Sequence, residues 1–508
     1  MKIVAALVVL VACGDNKAST PDASVHDAHV ASDAAEALEF QNGPTFSLPV
    51  ATAPLTGRIR LKTNRPTKVS LQVASADRIY TIDAPEIATV HDVPVMELRV
   101  DTVHHIVVTA SDEGGATVVS GPIEAVTPTL PAFTPAFTTT KILPAQIEPG
   151  ITLAAMQSWV LAVDVDGKII WFVDLQRPVV DVTLLPSGRF LVLFDDRVGA
   201  AEIDAYGTIV KSWQASNRSV VPTGVVPVAV DTFHHELAYL PGGDLLTLST
   251  ERRELANYPT SETDPTPRTT PAGVIGDVVT VFKPDGTVRA THSMLDALDP
   301  RRVGYGSFGL FWSVFYEPPS GSLDWSHGNA VVPTSDNGFL VSLRHQDALV
   351  KLDASGDVQW ILGTHDNWSA AFAPLLLTPV GAPFAFPFHQ HAPMVLSNGN
   401  ILVFDNGNFR VSPPATQTQP NFSRAVEFSV DPVAKEVRQT WEYSPSTPIF
   451  AAATGDVDIG AQTGNVIVTF GTAAKVVEVT HTSPAMEVFR LESSFNFYRS
   501  ERVLSLYP

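Results

Sequence analysis

Apolar and polar positions alternate with period two across residues 40–127, as in Gly57-Arg-Ile-Arg-Leu-Lys-Thr and His105-Ile-Val-Val-Thr-Ala. Such alternation buries one face of each strand and wets the other. The pattern predicts short strands between polar turns, assembled as a small β-sandwich. His104 and His105 fall in one of these strands and read as a pair on the sheet surface. A Pro-rich stretch beginning Thr127-Pro-Thr-Leu-Pro marks a linker over residues 128–141.

From residue 142 to 508 a different unit repeats: an apolar residue, Asp-x-x-Gly, then an apolar strand that often ends in Trp. It appears as Val163-Asp-Val-Asp-Gly to Trp171, as Ile203-Asp-Ala-Tyr-Gly to Trp213, and as Leu352-Asp-Ala-Ser-Gly to Trp360. Looser copies occupy Val281-Phe-Lys-Pro-Asp-Gly, Phe428 to Trp441 and Val477 to Phe489. Asp-x-x-Gly supplies the positive φ of a tight hairpin turn, and the flanking β-branched residues suit strands. Leading hairpins begin near Val180, His235, His327, His391 and Asp456, so each pair of hairpins makes a four-stranded unit. About six such units predict an all-β chain built as a six-bladed β-propeller with a small N-terminal β-sandwich. A closing strand is expected within Phe495 to Tyr507.

Three segments depart from the repeat. His292 to Trp325 is long and aromatic, and Ala370 to Phe388 is apolar and Pro-rich; both precede histidine-bearing hairpins and are expected to wall a site. Arg252 to Gly273 is polar and reads as a mobile surface loop.

Composition adds bounds. The chain has 508 residues, 40 Pro, 32 Gly and a formal net charge of −20. Phosphate contacts need a basic face, so the acidity disfavours nucleic-acid partners. At the N-terminus, Met1-Lys2 precedes an apolar run that ends in Leu10-Val11-Ala12-Cys13. The run is too short to span a bilayer but fits a signal-peptide core. Its end resembles the bacterial lipobox, which makes residues 1–13 a lipoprotein signal, Cys13 the lipidated residue, and 14–39 a flexible tether. The expectation is an exported protein, lipid-anchored to a bacterial membrane and facing the periplasm or cell exterior. Cys13 is the chain's single cysteine, so no disulfide can form within it.

Candidate chemistry comes from register. His235 and His391 each lie five residues before a Leu (Leu240, Leu396) and eight before a turn glycine (Gly243, Gly399). His327 joins them, with Val332 at the five-residue step and a longer turn to Gly338. Equivalent positions of a propeller converge on its axis, so the three imidazoles are expected in one central space. Asn329, two residues past His327, is expected on the same strand face, and Arg344 closes the next strand. His234, adjacent to His235, is expected on the opposite face with a structural role. Three imidazoles suit a zinc or iron site, or anion chemistry in which one histidine is the nucleophile. Arg344 and Asn329 favour the anion, because a guanidinium repels a divalent cation and clamps a sulfate.

His327-Gly-Asn with Ser342-Leu-Arg-His-Gln, and Gln390-His with Asn398-Gly-Asn and Asp405-Asn-Gly-Asn, resemble the bacterial arylsulfate sulfotransferases, which do not use the nucleotide sulfate donor. The resemblance runs from about Ile142 onwards and implies a six-bladed propeller. It also implies ping-pong transfer of a sulfuryl group from an aryl sulfate donor to a phenolic acceptor, without a cofactor. On that basis His391 is transiently sulfated, His327, Asn329 and Arg344 hold the sulfate oxygens, and His235 assists proton transfer. Family members can carry a disulfide, and here the chain departs. A metal-dependent propeller enzyme with three His ligands, and a non-enzymatic ligand-binding surface propeller, are the alternatives. A homodimer is compatible with all of these readings.

Overall fold

The computed structural model describes residues 36–316, 321–411 and 416–507. The signal segment, most of the tether and Cys13 lie outside the described residues. Among those residues no helix is long and apolar enough to cross a membrane.

Six antiparallel sheets follow one another from Ile151 to Val503 and form the blades. The second runs Val179–Leu184, Phe190–Phe194, Gly199–Ile203 and Ile209–Ala215. The third runs His234–Tyr239, Leu245–Leu255, Ala272–Phe282 and Val288–Ser293, and the fourth Gly328–Pro333, Phe339–Leu343, Ala348–Leu352 and Val358–Gly363. The fifth runs His391–Val395, Ile401–Asp405, Arg424–Asp431 and Glu436–Tyr443. The first strands of successive blades lie against one another and line the axis.

The ring closes at both ends. Ser500–Val503 pairs with Ile151–Met156 and becomes the axial strand of the first blade. Phe137–Lys141 pairs with Glu487–Ser493 and becomes the outermost strand of the sixth. The linker predicted over 128–141 therefore ends in a propeller strand. Its threonines (Phe-Thr-Thr-Thr-Lys) have no apolar alternation because the strand is an outer edge with little to bury.

The repeated motif has a direct physical role. In the turns Asp164–Gly167, Asp204–Gly207 and Asp353–Gly356 the glycine N–H donates to the aspartate carbonyl, and the glycine φ is 73°, 77° and 90°. Each aspartate Oδ1 accepts two further backbone N–H groups at 2.9–3.0 Å. The terminal Trp then bridges blades. Trp171 Nε1 donates to Ala205 O of the second blade's turn, Trp213 Nε1 to Pro284 O of the third, and Trp441 Nε1 to Thr482 O of the sixth.

Ahead of the propeller, seven strands between Phe40 and Val126 form one hydrogen-bonded sheet, joined by the 18-residue strand Gly57–Ala74. Its first half pairs with Phe40–Ser47 and Ala88–Val95, its second with Ile79–Asp83 and Val103–Ser111. Leu61, Val69, Leu71, Val95 and Val108 share the core of this unit. His104 is buried within it, accepting Arg99 N–H at 3.0 Å, so the expected surface pair consists of His105 alone.

Two of the irregular segments differ from expectation. Arg252–Leu255 is not loop: it extends the hairpin Leu245–Leu255/Ala272–Phe282, its polar side chains pairing opposite a strand whose Ala272, Val274 and Ile275 are buried. Ala370 to Phe388 does not wall the central cavity. Leu377 is buried among Leu340, Leu349 and Leu362, and Thr378–Pro379 adds a parallel strand to Glu436–Tyr443, so its apolar residues cover the outside of two blades.

Candidate active site

A cavity of about 680 Å³ opens on the axis. His235, His327, His391 and Arg344 all line it, together with His234 and His345. The His235 and His327 ring centroids are 5.3 Å apart, and His327 stacks on His345 at 4.6 Å.

The same local device brings these imidazoles inward. At the head of each of three axial strands the register slips: between His234 and Leu237, between Gly328 and Ala330, and between His391 and Met394. Left-handed residues sit there, His235 at φ 60°, His327 at 45° and Ala392 at 44°. Such bulges re-aim side chains at the end of a sheet. They also cancel simple alternation, which is why two expectations fail. His234 does not point away: it lines the cavity, with Nδ1 2.7 Å from His235 Nδ1. Asn329 is fully buried behind the wall and outside the cavity lining, its Nδ2 donating to Gln390 O at 2.7 Å.

Hydrogen bonds fix the tautomers. Asn406 Nδ2 donates to Ala451 O at 2.8 Å and Thr454 O at 2.9 Å, so its Oδ1 can only accept. That oxygen lies 2.6 Å from His391 Nδ1, which must therefore carry the proton and leave Nε2 with its lone pair. His327 Nδ1 is held 2.5 Å from Asp324 Oδ2. Asp324 is set in place by strand Leu323–Asp324, which pairs in parallel with Ala272–Phe282.

Burial governs the charges. It pushes His235, His327, His345 and His391 well below the usual imidazole range, and His234 down to about 3. It pushes the Asp277 carboxyl up to about 7 and that of Asp324 up to about 6. The Arg344 guanidinium donates from Nη2 to Ala452 O at 3.2 Å, makes no ion pair among the described residues, and has a buried Nε without a partner. A cation so short of acceptors, beside neutral imidazoles, has the chemistry to hold an anion.

The aromatic insertion supplies the apolar wall, with Tyr305, Phe311 and Trp312 beside Phe194 and Phe233. Arg197 lies 4.1 Å over the Phe311 ring. Asp324, His327 and His345 offer ligand atoms within 4.8 Å of one another, so the residues at metal-ligand spacing are not the predicted trio of histidines. The 2.5 Å contact between His327 and Asp324 is a hydrogen bond, with no room for an ion between the two atoms. His345, Asp324 and Asn406 went unassigned from sequence, although His345 and Asn406 stand inside the quoted motifs, and His234 was given only a structural role.

Residues 134–499 match the family model for arylsulfotransferases. Arylsulfate sulfotransferase AssT of Escherichia coli O6:H1 is 33% identical over 138 residues, 24% of this chain and 23% of that protein. The protein of the same name from Lelliottia amnigena is 30% identical over 137 residues, with the same coverage. These alignments thus span under a quarter of the relatives' length. Among solved structures, virginiamycin B lyase from Staphylococcus aureus aligns over 69% of this chain and 88% of its own, at 13% identity and a TM-score of 0.35.

Proposed function

We propose that this chain, which belongs to the arylsulfotransferase family, transfers a sulfuryl group from an aryl sulfate to a phenol through a sulfated His391. The observation that carries the reading is His391 held by Asn406 with Nε2 free, in the same cavity wall as an acid-free Arg344.

His391 Nε2 attacks sulfur, the S–O bond to the aryl group breaks, and the phenolate departs along the aromatic wall. The acceptor phenol then enters the same place, its oxygen attacks sulfur, and the S–N bond breaks. As in phosphoryl transfer, the transition state spreads charge over three equatorial oxygens. Arg344 meets that charge without having to reorganise, which is where preorganised donors contribute most, and His327, its Nδ1 turned to Asp324, donates from Nε2 as the imidazolium that a bound sulfate favours. His235 handles the phenolic proton. Asn329, from its place behind the wall, supports the Gln390-His391 backbone rather than the sulfate.

The same proposal places the chain outside the cytoplasm, anchored through Cys13. Its test is mass spectrometry after incubation with 4-nitrophenyl sulfate and no acceptor. One sulfuryl group is expected on the His391 peptide, and none in His391→Ala, which should lose transfer while keeping its fold. A sulfuryl group on a Ser, Thr or Tyr instead goes against the reading. Activity abolished by a chelator and restored by a metal favours the metal-dependent alternative.

A further inference from the structure

Beyond the cavity wall, a buried file of three groups leads away from His235. His235 Nδ1 lies 2.7 Å from His234 Nδ1. On the far side of that ring, His234 Nε2 lies 3.2 Å from Ser249 O and 3.3 Å from Asp277 Oδ1. His234 and Asp277 are 4% and 1% exposed, and Oδ1 of Asp277 has no hydrogen-bond partner among the described residues: His234 Nε2 approaches it at ion-pair distance while hydrogen-bonding to Ser249 O. The second carboxylate oxygen, Oδ2, accepts from Ser326 Oγ and Gly328 N–H, both at 2.5 Å, which fixes the group in place.

Both atoms facing His234 Nε2 are acceptors, so this nitrogen carries the proton and Nδ1 is bare. The 2.7 Å contact must then be His235 Nδ1–H donating to His234. His235 consequently has its lone pair on Nε2. We propose that Asp277, His234 and His235 form a proton relay, in which Asp277 stores the proton that His235 exchanges with the phenolic oxygen of the substrate. This inference rests on the sulfuryl-transfer reading.

The step balances. When the acceptor phenol attacks, its proton goes to His235 Nε2. The Nδ1 proton moves to His234 Nδ1, and the Nε2 proton of His234 passes to Asp277 Oδ1. When the next donor reacts, the proton retraces that path and reaches the departing phenolate. Each half-reaction therefore undoes the proton balance of the other, and a store inside the protein spares exchange with solvent. His235 cannot be that store, because burial and the neighbouring His234, His327, His391 and Arg499 hold it neutral well below the usual imidazole range. Asp277 can, since burial and the nearby Asp324 push its carboxyl up to about 7, against the opposing bonds from Ser326 and Gly328. His234 and Asp277 are positioning and relay residues; only His235 meets the substrate.

The test uses the full chain, with Asp277→Asn and His234→Gln, and a series of aryl sulfates whose phenols range from acidic (4-nitrophenol) to weakly acidic (phenol, 4-methylphenol). Active sites are counted by the 4-nitrophenol burst, so poorly folded material does not enter the rates. Wild type should show a shallow dependence of sulfation rate on phenol acidity, because the leaving oxygen is protonated as it departs. In both variants the dependence should steepen, with phenyl sulfate slowed on the order of 10- to 100-fold more than 4-nitrophenyl sulfate. The loss should fall on kcat, with KM changed by no more than about twofold. An equal loss for every sulfate, or an unchanged slope, overturns the relay while the burst still upholds sulfation. A wild type with no burst and no sulfated histidine overturns the underlying reading, and the relay with it.

Discussion

At the scale of single residues, the cavity wall holds a cation without a partner acid. Arg344 has no acid within ion-pair range among the described residues, and the imidazoles around it stay neutral. Arg344→Ala should therefore cost on the order of 2–4 kcal/mol of transition-state stabilisation, roughly 30- to 1000-fold in kcat/KM. Arg344→Lys should restore part of that, because a point charge cannot reproduce the planar fork; full restoration would show that charge alone suffices. The depressed His391 pKa sets the acid limit of catalysis. Lowering a histidine's pKa extends its neutral, nucleophilic form to lower pH, so the 4-nitrophenol burst without acceptor, which needs no ionised Asp277, should hold as pH falls through 6.5, the ordinary imidazole value, and drop only below it. An inflection at or above pH 6.5 would show that His391 is not shielded from water in this way. His235, His327 and His391 were legible because repeats put them in register, and Arg344 because it closes the strand after His327. His234 and Asn329 were misplaced for one reason: alternation presumes regular strands, and no residue type announces the positive φ of His235 or His327.

At the scale of elements, the hairpins were legible because Asp-x-x-Gly carries its own turn geometry. What the motif's Trp does became visible only with neighbouring blades in place. Trp213 supplies the hydrogen bond to Pro284 O, whereas Ala205 O, the acceptor of Trp171, also receives Thr56 Oγ1 at 3.0 Å. Trp213→Phe should therefore destabilise by about 1–3 kcal/mol, leaving a carbonyl without its donor, and Trp171→Phe by less. Urea unfolding monitored by circular dichroism measures both; equal midpoints would mean that these bonds do not set the difference. The strand end Arg252–Leu255 escaped the sequence because its own residues are mostly polar, while the buried apolar side chains at that end, Ala272, Val274 and Ile275, lie on the partner strand. The insertion at Ala370 misled for the opposite reason, since apolar character says that a segment is covered but not by what.

At the scale of the molecule, blade number and order followed from the spacing of hairpins, while the outer strand Phe137–Lys141 could not, because an edge strand leaves little hydrophobic trace. The proposed anchor also belongs to this scale. Cys13→Ser should release the protein from membranes, and detergent-phase partitioning would read it out; a variant that still partitions with lipid would place the attachment elsewhere. The closure itself also sets the order in which the site is assembled. Ala154 pairs with Ser500, and the residue beside that strand, Arg499, donates to Asn329 O at 2.9 Å and to Glu236 Oε2 at 2.9 Å. Pairings so distant along the chain form slowly, after local hairpins are in place. Until that closing strand is in place, His391 and Arg344 share no enclosed chamber. The cavity is thus the last part of the fold to be completed, and the groups that line it are brought together in one late step rather than blade by blade.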